Sequence, residues 1–252
     1  MERAKIRFNL DFVPVSAIAE QWYCEKAVDL QYRHPNIEFK SPELDFGTAG
    51  HELLGSEAEI ITQQELKEYI EGKKAIRLLE KVFEGAYRNV LIRGIPDYVE
   101  IKGRKAIFLL DFKFSKHKRV FPTYRIQTDT YAYLLYKNHF NIDNLFCGIA
   151  IIPPNKLNKD DILLDEVAIL MKKRLSEMRH KKLDVIPFDS PGLNGYLYSF
   201  SLSTAKRNLT WAIDYWRKRR DPMPTKKAYK CRLCSYNAAG LCRVSSAAAN
   251  KR

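Results

Sequence analysis

The sequence GIPDYVEI (residues 94–101) is followed closely by AIFLLDFKF (residues 106–114), and the polar segment KGRK joins them. Both runs are rich in aromatic and β-branched residues, which favour strands. The joining segment contains Gly103, and a short polar segment of this kind between two strand-like runs is typical of a β-hairpin. The pattern therefore predicts two antiparallel strands joined by a tight turn.

Charged side chains interrupt this otherwise apolar hairpin. Asp97 lies in the first run, and Asp111 and Lys113 lie two residues apart in the second. Because alternate residues of a strand share a face, Asp111 and Lys113 are predicted to point the same way. Phe112 and Phe114 are predicted to lie on the opposite face.

The two carboxylates and the ammonium suit a site that hydrolyses phosphodiesters. Unpaired charges are costly to bury, and a hard cation held by Asp97 and Asp111 would offset that cost. Mg²⁺ or Mn²⁺ could activate a water there, and Lys113 could position or deprotonate this water and stabilise charge on the phosphate. The alternative is an ordinary surface hairpin with salt-bridged charges. Asp97, Asp111 and Lys113 are therefore the candidate catalytic residues.

The overall charge favours a polyanionic partner. The 252 residues include 43 Lys and Arg against 30 Asp and Glu, which is a formal net charge of +13. This balance indicates nucleic acid, the alternative being a solvated basic surface. No apolar run of about 18 residues is present, so no membrane-spanning helix is expected. The N-terminus lacks the features of a signal peptide, which predicts a cytoplasmic location.

A helix is predicted after the hairpin, over residues 124–140, because the apolar spacing changes to a helical period. Gln127 and Tyr131 are four residues apart and share one face of it. They suit contacts to a DNA backbone, the alternative being a half-buried helix face. Tyr124, Tyr131 and Tyr133 are also candidates for stacking on the bases of a single strand.

His51 lies in the sequence FGTAGHE, within a helix predicted over residues 44–54. Small residues one turn before His51 would let this helix pack closely against a neighbour. A histidine there could add a nitrogen ligand to the metal, which favours Mn²⁺ over Mg²⁺. The alternative is a hydrogen-bonded histidine of the core or the surface.

Five cysteines, an odd number, argue against a disulfide framework. Cys231 and Cys234 form a Cys-x₂-Cys pair, Cys242 follows, and Cys24 lies in an N-terminal helix. These four could close one metal site, whereas Cys147 lies in an apolar run and is predicted to pack in the core. A 4Fe–4S cluster and a Cys₄ zinc site fit the spacing equally well, and unrelated free thiols are the alternative.

The order of elements indicates an α/β fold with a mixed central β-sheet flanked by helices. The apolar run at residues 145–152 predicts a buried strand. Further predictions are an extended segment over residues 1–13, one strand within 75–87, a strand over 196–202, and helices over 16–32, 63–72, 165–182 and from Ser203 or Thr204 to about 220.

The motifs follow one another in a distinctive order: Cys24, His51, Pro96-Asp97, Asp111-x-Lys113, Gln127-x₃-Tyr131 and Cys231-x₂-Cys234-x₇-Cys242. This order resembles the RecB-type branch of the PD-(D/E)XK nuclease superfamily, over about residues 15–243. Within that branch it resembles the CRISPR-associated RecB-like iron–sulfur exonucleases and the AddB-type nuclease domains. The seven-residue gap before Cys242 is longer than in many of the CRISPR relatives.

The resemblance implies a role for each residue of the candidate site. His51, Asp97 and Asp111 would bind Mn²⁺ or Mg²⁺, with the backbone carbonyl of Phe112 as a further ligand. Lys113 would be the catalytic lysine.

The resemblance also implies roles for the helix and the cysteines. Gln127 and Tyr131 would form a QxxxY motif that supports DNA binding. A structural 4Fe–4S cluster would be held by Cys24, Cys231, Cys234 and Cys242. Part of the basic segment over residues 206–230 is expected to lie along the DNA path, the alternative being a solvated helix face.

In domain terms, the resemblance implies a restriction-endonuclease-like core and a cluster region formed by both termini. The predicted boundaries are a single nuclease domain over 1–252, with a PD-(D/E)XK core over 35–205, a helical iron–sulfur region over 14–34 and 206–243, and a flexible tail over 244–252.

The implied activity is metal-dependent exonuclease cleavage of single-stranded DNA, 5′ to 3′, with endonuclease activity in some relatives. Trimming of prespacers in CRISPR adaptation, beside the integrase proteins, is the implied setting, and an oligomer is compatible with it. The alternatives are a repair or recombination nuclease of the same fold and a non-catalytic DNA-binding scaffold with a Cys₄ zinc site. An RNA substrate also remains open.

Overall fold

The computed structural model describes residues 6–37, 63–72, 75–79, 81–153, 164–181, 183–190 and 193–242. The helix predicted over residues 44–54, with His51, and the tail predicted over residues 244–252 lie outside the described residues. Within the part of the chain that is described, no helix has the length and apolar character needed to cross a membrane.

The helices follow the predicted periodicity closely. A 3₁₀ turn at Arg7–Asn9 precedes them. In chain order the described helices are α1 (Val15–Arg33), α2 (Gln63–Glu71), α3 (Pro122–Lys137), α4 (Leu164–His180), α5 (Leu202–Trp216), α6 (Ala228–Arg232) and α7 (Ser235–Ala238).

The strands form two sheets. The described strands are β1 (Val13–Pro14), β2 (Ala75–Leu79), β3 (Phe83–Tyr87), β4 (Val90–Gly94), β5 (Tyr98–Lys102), β6 (Lys105–Phe114), β7 (Phe146–Ile152), β8 (Val185–Ser190) and β9 (Leu193–Ser199). A six-stranded sheet has the order β2-β5-β6-β7-β9-β8, and a three-stranded sheet has the order β1-β4-β3. In the larger sheet β6 and β7 are parallel and the other neighbouring pairs are antiparallel, which confirms the predicted mixed sheet.

The central strand β6 is covered by helices on both faces. Leu109 belongs to a core cluster that includes residues of α1, α3 and α5. Phe112 and Phe114 lie in a second cluster, with Met171 and Leu175 of α4. A strand that is buried on both faces needs apolar residues at nearly every position, and this explains the near-continuous run in its sequence. Phe112 and Phe114 therefore occupy the face predicted for them.

Several predicted elements differ from the structure. Residues 1–13 are not one extended segment, because Arg7–Asn9 form the 3₁₀ turn and the Arg7 guanidinium donates hydrogen bonds to the carbonyls of Tyr215 and Arg220. Two strands, β2 and β3, replace the single strand predicted within residues 75–87, and β4 and β8 were not predicted.

The last long helix begins earlier and ends earlier than predicted. Its N-cap is Ser201, whose hydroxyl accepts a hydrogen bond from the Thr204 amide at 3.3 Å, rather than Ser203 or Thr204. It ends at Trp216 instead of near residue 220, because Lys218 adopts a left-handed conformation with φ of 60°.

Gly94, at the end of β4, allows three elements to approach closely. A Cβ atom at this position would lie 2.5 Å from Val15 Cγ2 and 2.6 Å from Tyr131 Cε1. Ordinary side-chain contacts are not this short, so only glycine fits between α1 and α3 here. Because Asp97 follows three residues later, the glycine also determines how the chain enters the candidate site.

We predict that Gly94→Ala destabilises the protein. The added methyl group would displace the Val15 side chain or the Tyr131 ring, and overpacking of this kind costs about 1–3 kcal/mol of unfolding free energy. Urea unfolding of the wild type and the variant measures the difference. An unchanged unfolding midpoint would show that the surrounding side chains can move aside without any loss of unfolding free energy.

Candidate active site

The ion pair of Asp111 and Lys113 lies at the centre of the candidate site. The Lys113 Nζ atom donates a hydrogen bond to Asp111 Oδ1 at 3.0 Å and lies 2.9 Å from Asp111 Oδ2. The Asp111 side chain has no exposed surface, and the Lys113 side chain is 12% exposed. The pair therefore sits at the edge of the core, with only a small part of the Lys113 side chain in contact with solvent.

Asp97 approaches this pair from just before the neighbouring strand β5, outside the strand in which the sequence predicted it. It lies in the short connection between β4 and β5, and its Oδ2 atom accepts a hydrogen bond of 2.7 Å from the backbone amide of Phe112. Phe112 lies between Asp111 and Lys113, so this bond brings the Asp97 carboxylate beside both of them. The structure thus brings together the three candidate catalytic residues.

The charges in the site act on one another. Burial alone would lower the pKa of the Lys113 ammonium, but the carboxylates of Asp111 and Asp97 outweigh burial and raise that pKa above its ordinary value. For Tyr131, burial and then the same two carboxylates raise the pKa, so its hydroxyl stays protonated. Both groups are therefore hydrogen-bond donors beside the two acids.

Gln127 and Tyr131 lie one turn apart on α3, facing the site. The Gln127 Nε2 atom donates a hydrogen bond to the Tyr131 hydroxyl at 3.1 Å. Tyr131 is buried and Gln127 is half-buried, so the tyrosine orients the glutamine. Tyr131 and Tyr133 were both predicted to stack on bases, and this is wrong because both rings are buried.

The carboxylate pair suits a divalent cation. Asp97 and Asp111 supply oxygen donors, which Mg²⁺ and Mn²⁺ prefer. Among the described residues, no group of three or more His, Cys, Asp and Glu side chains is arranged to hold a metal ion. His51, the third predicted side-chain ligand, lies outside the described residues, and the Phe112 carbonyl stays a predicted ligand.

Four of the five cysteines line one surface cavity, together with Tyr23 and Lys230. These four are half-buried and form no disulfide in the structure: Cys24, Cys231, Cys234 and Cys242. Burial, followed by the negative charge of the other three thiolates, raises the pKa of Cys231. Cys147 is fully buried in β7, away from this cavity, as its apolar surroundings predict.

The backbone at Cys24 departs from helical geometry. Cys24 lies in the middle of α1 with φ of −165° and ψ of 105°, which is an extended conformation. The C-terminal segment supplies hydrogen bonds at this interruption: the Lys26 amide donates to the Met223 carbonyl at 3.2 Å, and the Thr225 amide donates to Cys24 Sγ at 3.4 Å. The two ends of the chain are thus joined directly at this cysteine.

Glu25 holds the two ends together beside Cys24, and the sequence analysis did not identify it. Its buried carboxylate accepts hydrogen bonds from the Arg220 guanidinium, the Met223 amide and the Gln21 side chain. The Trp216 indole donates to Gln21 Oε1 at 3.0 Å and extends this network. A charged pair separated by 195 residues carries no local signal, so only the fold could reveal it.

Thiolates are the donors that soft metal centres take, but in the described part of the chain these four cysteines are not arranged closely enough to form a metal-binding group. Four thiolates can hold either a 4Fe–4S cluster or a zinc ion, and the chemistry of the donors does not choose between them. The interrupted helix directs Cys24 toward the segment that carries the other three.

Comparisons with known proteins agree with this architecture. A model of the PD-(D/E)XK nuclease superfamily matches residues 37–243. Among the solved structures, the crystal structure of SSO0001 is similar, with a TM-score of 0.51 and 14% identity, over 94% of this chain and 87% of that chain. At this identity the likeness concerns the fold alone. None of the curated proteins matches the chain.

A second buried carboxylate lies on α3 behind the site. Asp129 is 4% exposed, and its Oδ1 atom accepts a hydrogen bond of 3.0 Å from the Tyr198 hydroxyl. Burial raises the pKa of Asp129 to about 6, although the Tyr198 hydrogen bond and the nearby Arg125 both act to lower it. The folded protein therefore holds a proton on Asp129 more tightly than the unfolded chain does.

We predict that Asp129→Asn removes a pH dependence of stability. The stabilisation from the protonated carboxyl is fully present below its ordinary pKa of 3.8 and is lost as the pH rises through about 6. Relative to the variant, the wild type should lose up to about 3 kcal/mol of unfolding free energy between about pH 4 and pH 7. Urea unfolding across this range measures the difference, and parallel pH profiles would contradict the prediction.

Proposed function

Because the chain belongs to the PD-(D/E)XK nuclease superfamily, we propose that it is a metal-dependent DNA exonuclease that hydrolyses phosphodiester bonds at single-stranded ends. The observation that supports this most directly is the group formed by Asp97, Asp111 and Lys113, with the lysine partly open to solvent. The expected direction is 5′ to 3′, and internal cleavage is compatible with the same residues.

Asp97 and Asp111 would hold the catalytic Mn²⁺ or Mg²⁺, with His51 and the Phe112 carbonyl as further ligands. A bound ion of this kind polarises the phosphate and lowers the pKa of a coordinated water. Lys113 presents its ammonium beside the two carboxylates and would stabilise negative charge on the phosphate oxygens. The Phe112 amide keeps Asp97 in place, so the acids stay close together whether or not substrate is bound.

Gln127 would contact the DNA backbone near the scissile bond. Its side chain is half-buried, and the hydrogen bond to the Tyr131 hydroxyl fixes its orientation. Tyr131 acts from the core and would not touch the substrate itself. Gln127 would thus bind the DNA backbone, and Tyr131 would hold Gln127 in position.

The four clustered cysteines would hold a 4Fe–4S cluster with a structural role. The extended backbone at Cys24 and the buried Glu25–Arg220 pair beside it support this assignment, because both bring the N-terminal helix to the C-terminal segment. A Cys₄ zinc site in the same place is the alternative. In either case the metal would join the two ends of the chain.

The biological setting that we favour is trimming of prespacers during CRISPR adaptation, with integrase proteins as partners. A repair or recombination nuclease would use the same site on similar ends. A non-catalytic DNA-binding scaffold is the third candidate, and loss of activity in a site variant separates it from the first two.

We predict that Asp111→Asn abolishes cleavage while DNA binding persists. Losing one ligand carboxylate should reduce the cleavage rate at least about 1,000-fold, because a metal ion contributes several kcal/mol to the transition state. The assay is cleavage of a labelled single-stranded oligodeoxynucleotide with Mn²⁺ or Mg²⁺, with binding measured separately by fluorescence anisotropy.

Glu100→Gln provides a matched control for this experiment. Glu100 is an acid of the same hairpin, but it pairs with Lys172 of α4 on the opposite face of the sheet. The control should cleave at a rate close to that of the wild type. Normal cleavage by Asp111→Asn would reject the proposed site.

We predict that the protein purified without air is brown and contains about four iron atoms per chain. Cys231→Ala should lose both the visible absorbance and the iron, and its melting temperature should fall because the metal no longer adds to the contacts between the chain ends. Cys147→Ala is the control, since it removes a buried thiol outside the cavity and should keep the colour. A colourless, zinc-loaded protein would reject the cluster in favour of zinc.

A further inference from the structure

Three aromatic rings extend outward from the catalytic ion pair. The Tyr124 ring centroid lies 5.5 Å from Lys113 Nζ, and the Phe121 ring meets the Tyr124 ring at 5.5 Å between centroids. His117 meets Phe121 in turn at 6.1 Å. We call His117, Phe121 and Tyr124 the aromatic ladder. It leads from the buried acids to the surface.

Within the aromatic ladder, Phe121 is an exposed apolar ring. It is 39% exposed and precedes α3 as its N-cap residue, where nothing in the helix requires an aromatic side chain. Its two neighbours meet it at interplanar angles of 84° and 86°, and no described ring stacks on it in parallel. An apolar ring held by perpendicular contacts is rigid, and it is still open to a flat partner.

Basic residues precede this ring closely in the chain. The segment between β6 and α3 contains four exposed residues in a row, which are Lys116, His117, Lys118 and Arg119. The backbone of the segment is tied down at Ser115, whose amide donates to the Ile152 carbonyl at 3.0 Å and whose hydroxyl accepts from the His117 amide at 3.1 Å. Positive charge beside an exposed aromatic ring is what a single nucleic acid strand requires, because the charges attract phosphates and the ring stacks on bases.

We propose that Phe121 stacks on an unpaired base of the DNA substrate and that Lys118 and Arg119 bind the adjoining phosphates. This inference rests on the proposed nuclease function. The Phe121 ring lies within about 11 Å of Lys113 Nζ, as the two successive contacts through Tyr124 show. At ~3.4 Å per nucleotide of stacked strand, the contacted base lies within about three nucleotides of the scissile phosphate.

The consequence is a preference for single-stranded ends. Inside a duplex the bases cover one another's faces, and at a blunt end only the outer face of the terminal pair is open, so Phe121 gains less from a paired end than from a single strand. Tyr131 and Tyr133 cannot take this role because their rings are buried. Tyr124 is half-buried and packs between Phe121 and Lys113, where it fixes the distance between the stacked base and the ion pair.

The central experiment compares Phe121→Ala with two other variants in binding assays. Binding of a single-stranded oligodeoxynucleotide and of a blunt duplex is measured by fluorescence anisotropy in the presence of EDTA, so that nothing is cleaved. Phe121→Ala should weaken single-strand binding about 5- to 100-fold, which is the usual effect of losing one stacked base. Duplex binding should change less than about twofold, and Phe121→Trp should restore single-strand binding.

Tyr136→Ala is the matched control. Tyr136 has the same 39% exposure and lies on the same helix, but it is near the C-terminal end and contacts Lys206. At 1.5 Å per residue it is roughly 22 Å away from Phe121 along the helix. Its removal should leave single-strand binding unchanged, and an equal loss in both variants would overturn the proposal.

An oligonucleotide with abasic positions tests the stacking itself. If Phe121 stacks on a base, removing the bases within three nucleotides of the cleaved end should weaken wild-type binding. The same change should have little further effect on Phe121→Ala. Equal losses in both proteins would show that the ring does not contact a base, and this would overturn the proposal.

Lys118 and Arg119 are expected to determine how strongly single-strand binding depends on salt. Each phosphate contact contributes about 0.7 to the slope of log affinity against log salt for a single strand. The double variant Lys118→Ala/Arg119→Ala should therefore lower that slope by about 1.4, whereas Phe121→Ala should leave it unchanged. An unchanged slope in the double variant would remove the phosphate contacts from the proposal.

The binding assays separate this inference from the proposed function. If the wild type cleaves DNA but Phe121→Ala binds single strands normally, the proposal that Phe121 stacks on a base is rejected and the nuclease assignment stands. If Phe121→Ala loses single-strand binding but the wild type cleaves no nucleic acid, the nuclease assignment fails and the stacking surface stands.

Discussion

The hydrogen bond from the Phe112 amide to the Asp97 carboxylate joins two segments that carry the candidate chemistry. Phe112 packs its ring into the core beneath α4, so its amide is held rigidly in the strand. Asp97 follows three residues after the close packing at Gly94, in the short connection between β4 and β5. Because a core residue supplies the donor, the position of the acid depends on the same packing that stabilises the sheet.

The helices on the two faces of β6 have different roles. On one face α4 packs against the phenylalanines and closes the core. On the other face α3 presents Gln127 and Tyr131 to the acids, and its first residues carry the ring that extends to the surface. This asymmetry follows from the alternation along the strand, since Asp111 and Lys113 face α3 while Phe112 and Phe114 face α4. Superfamily membership implies metal-dependent nuclease chemistry, and we propose that this chemistry takes place on the charged face.

The two ends of the chain meet beside the sheet, and their helices α1 and α5 belong to the same apolar cluster as Leu109 of β6. Three features join residues that are 195 or more positions apart: the buried Glu25–Arg220 pair, the Arg7 contacts near the end of α5, and the Cys24 contact at the interrupted helix. Removing one partner of a buried ion pair strongly destabilises the folded protein, so the contact between the two chain ends depends on both Glu25 and Arg220. A metal centre in the cysteine cavity would add to an interface that the protein already forms without it.

The sequence by itself determined the mixed α/β class, the opposite faces of Asp111 and Phe112, and the long helices, because these follow from local periodicity. It also indicated the pairing of Asp97 with Asp111, since a hairpin brings neighbouring strands together. Only the tertiary structure decided that Tyr131 and Tyr133 are buried, that Phe121 is open beside a basic segment, and that Glu25 binds Arg220. Burial and long-range pairing depend on which elements pack together, and no local pattern of residues records that.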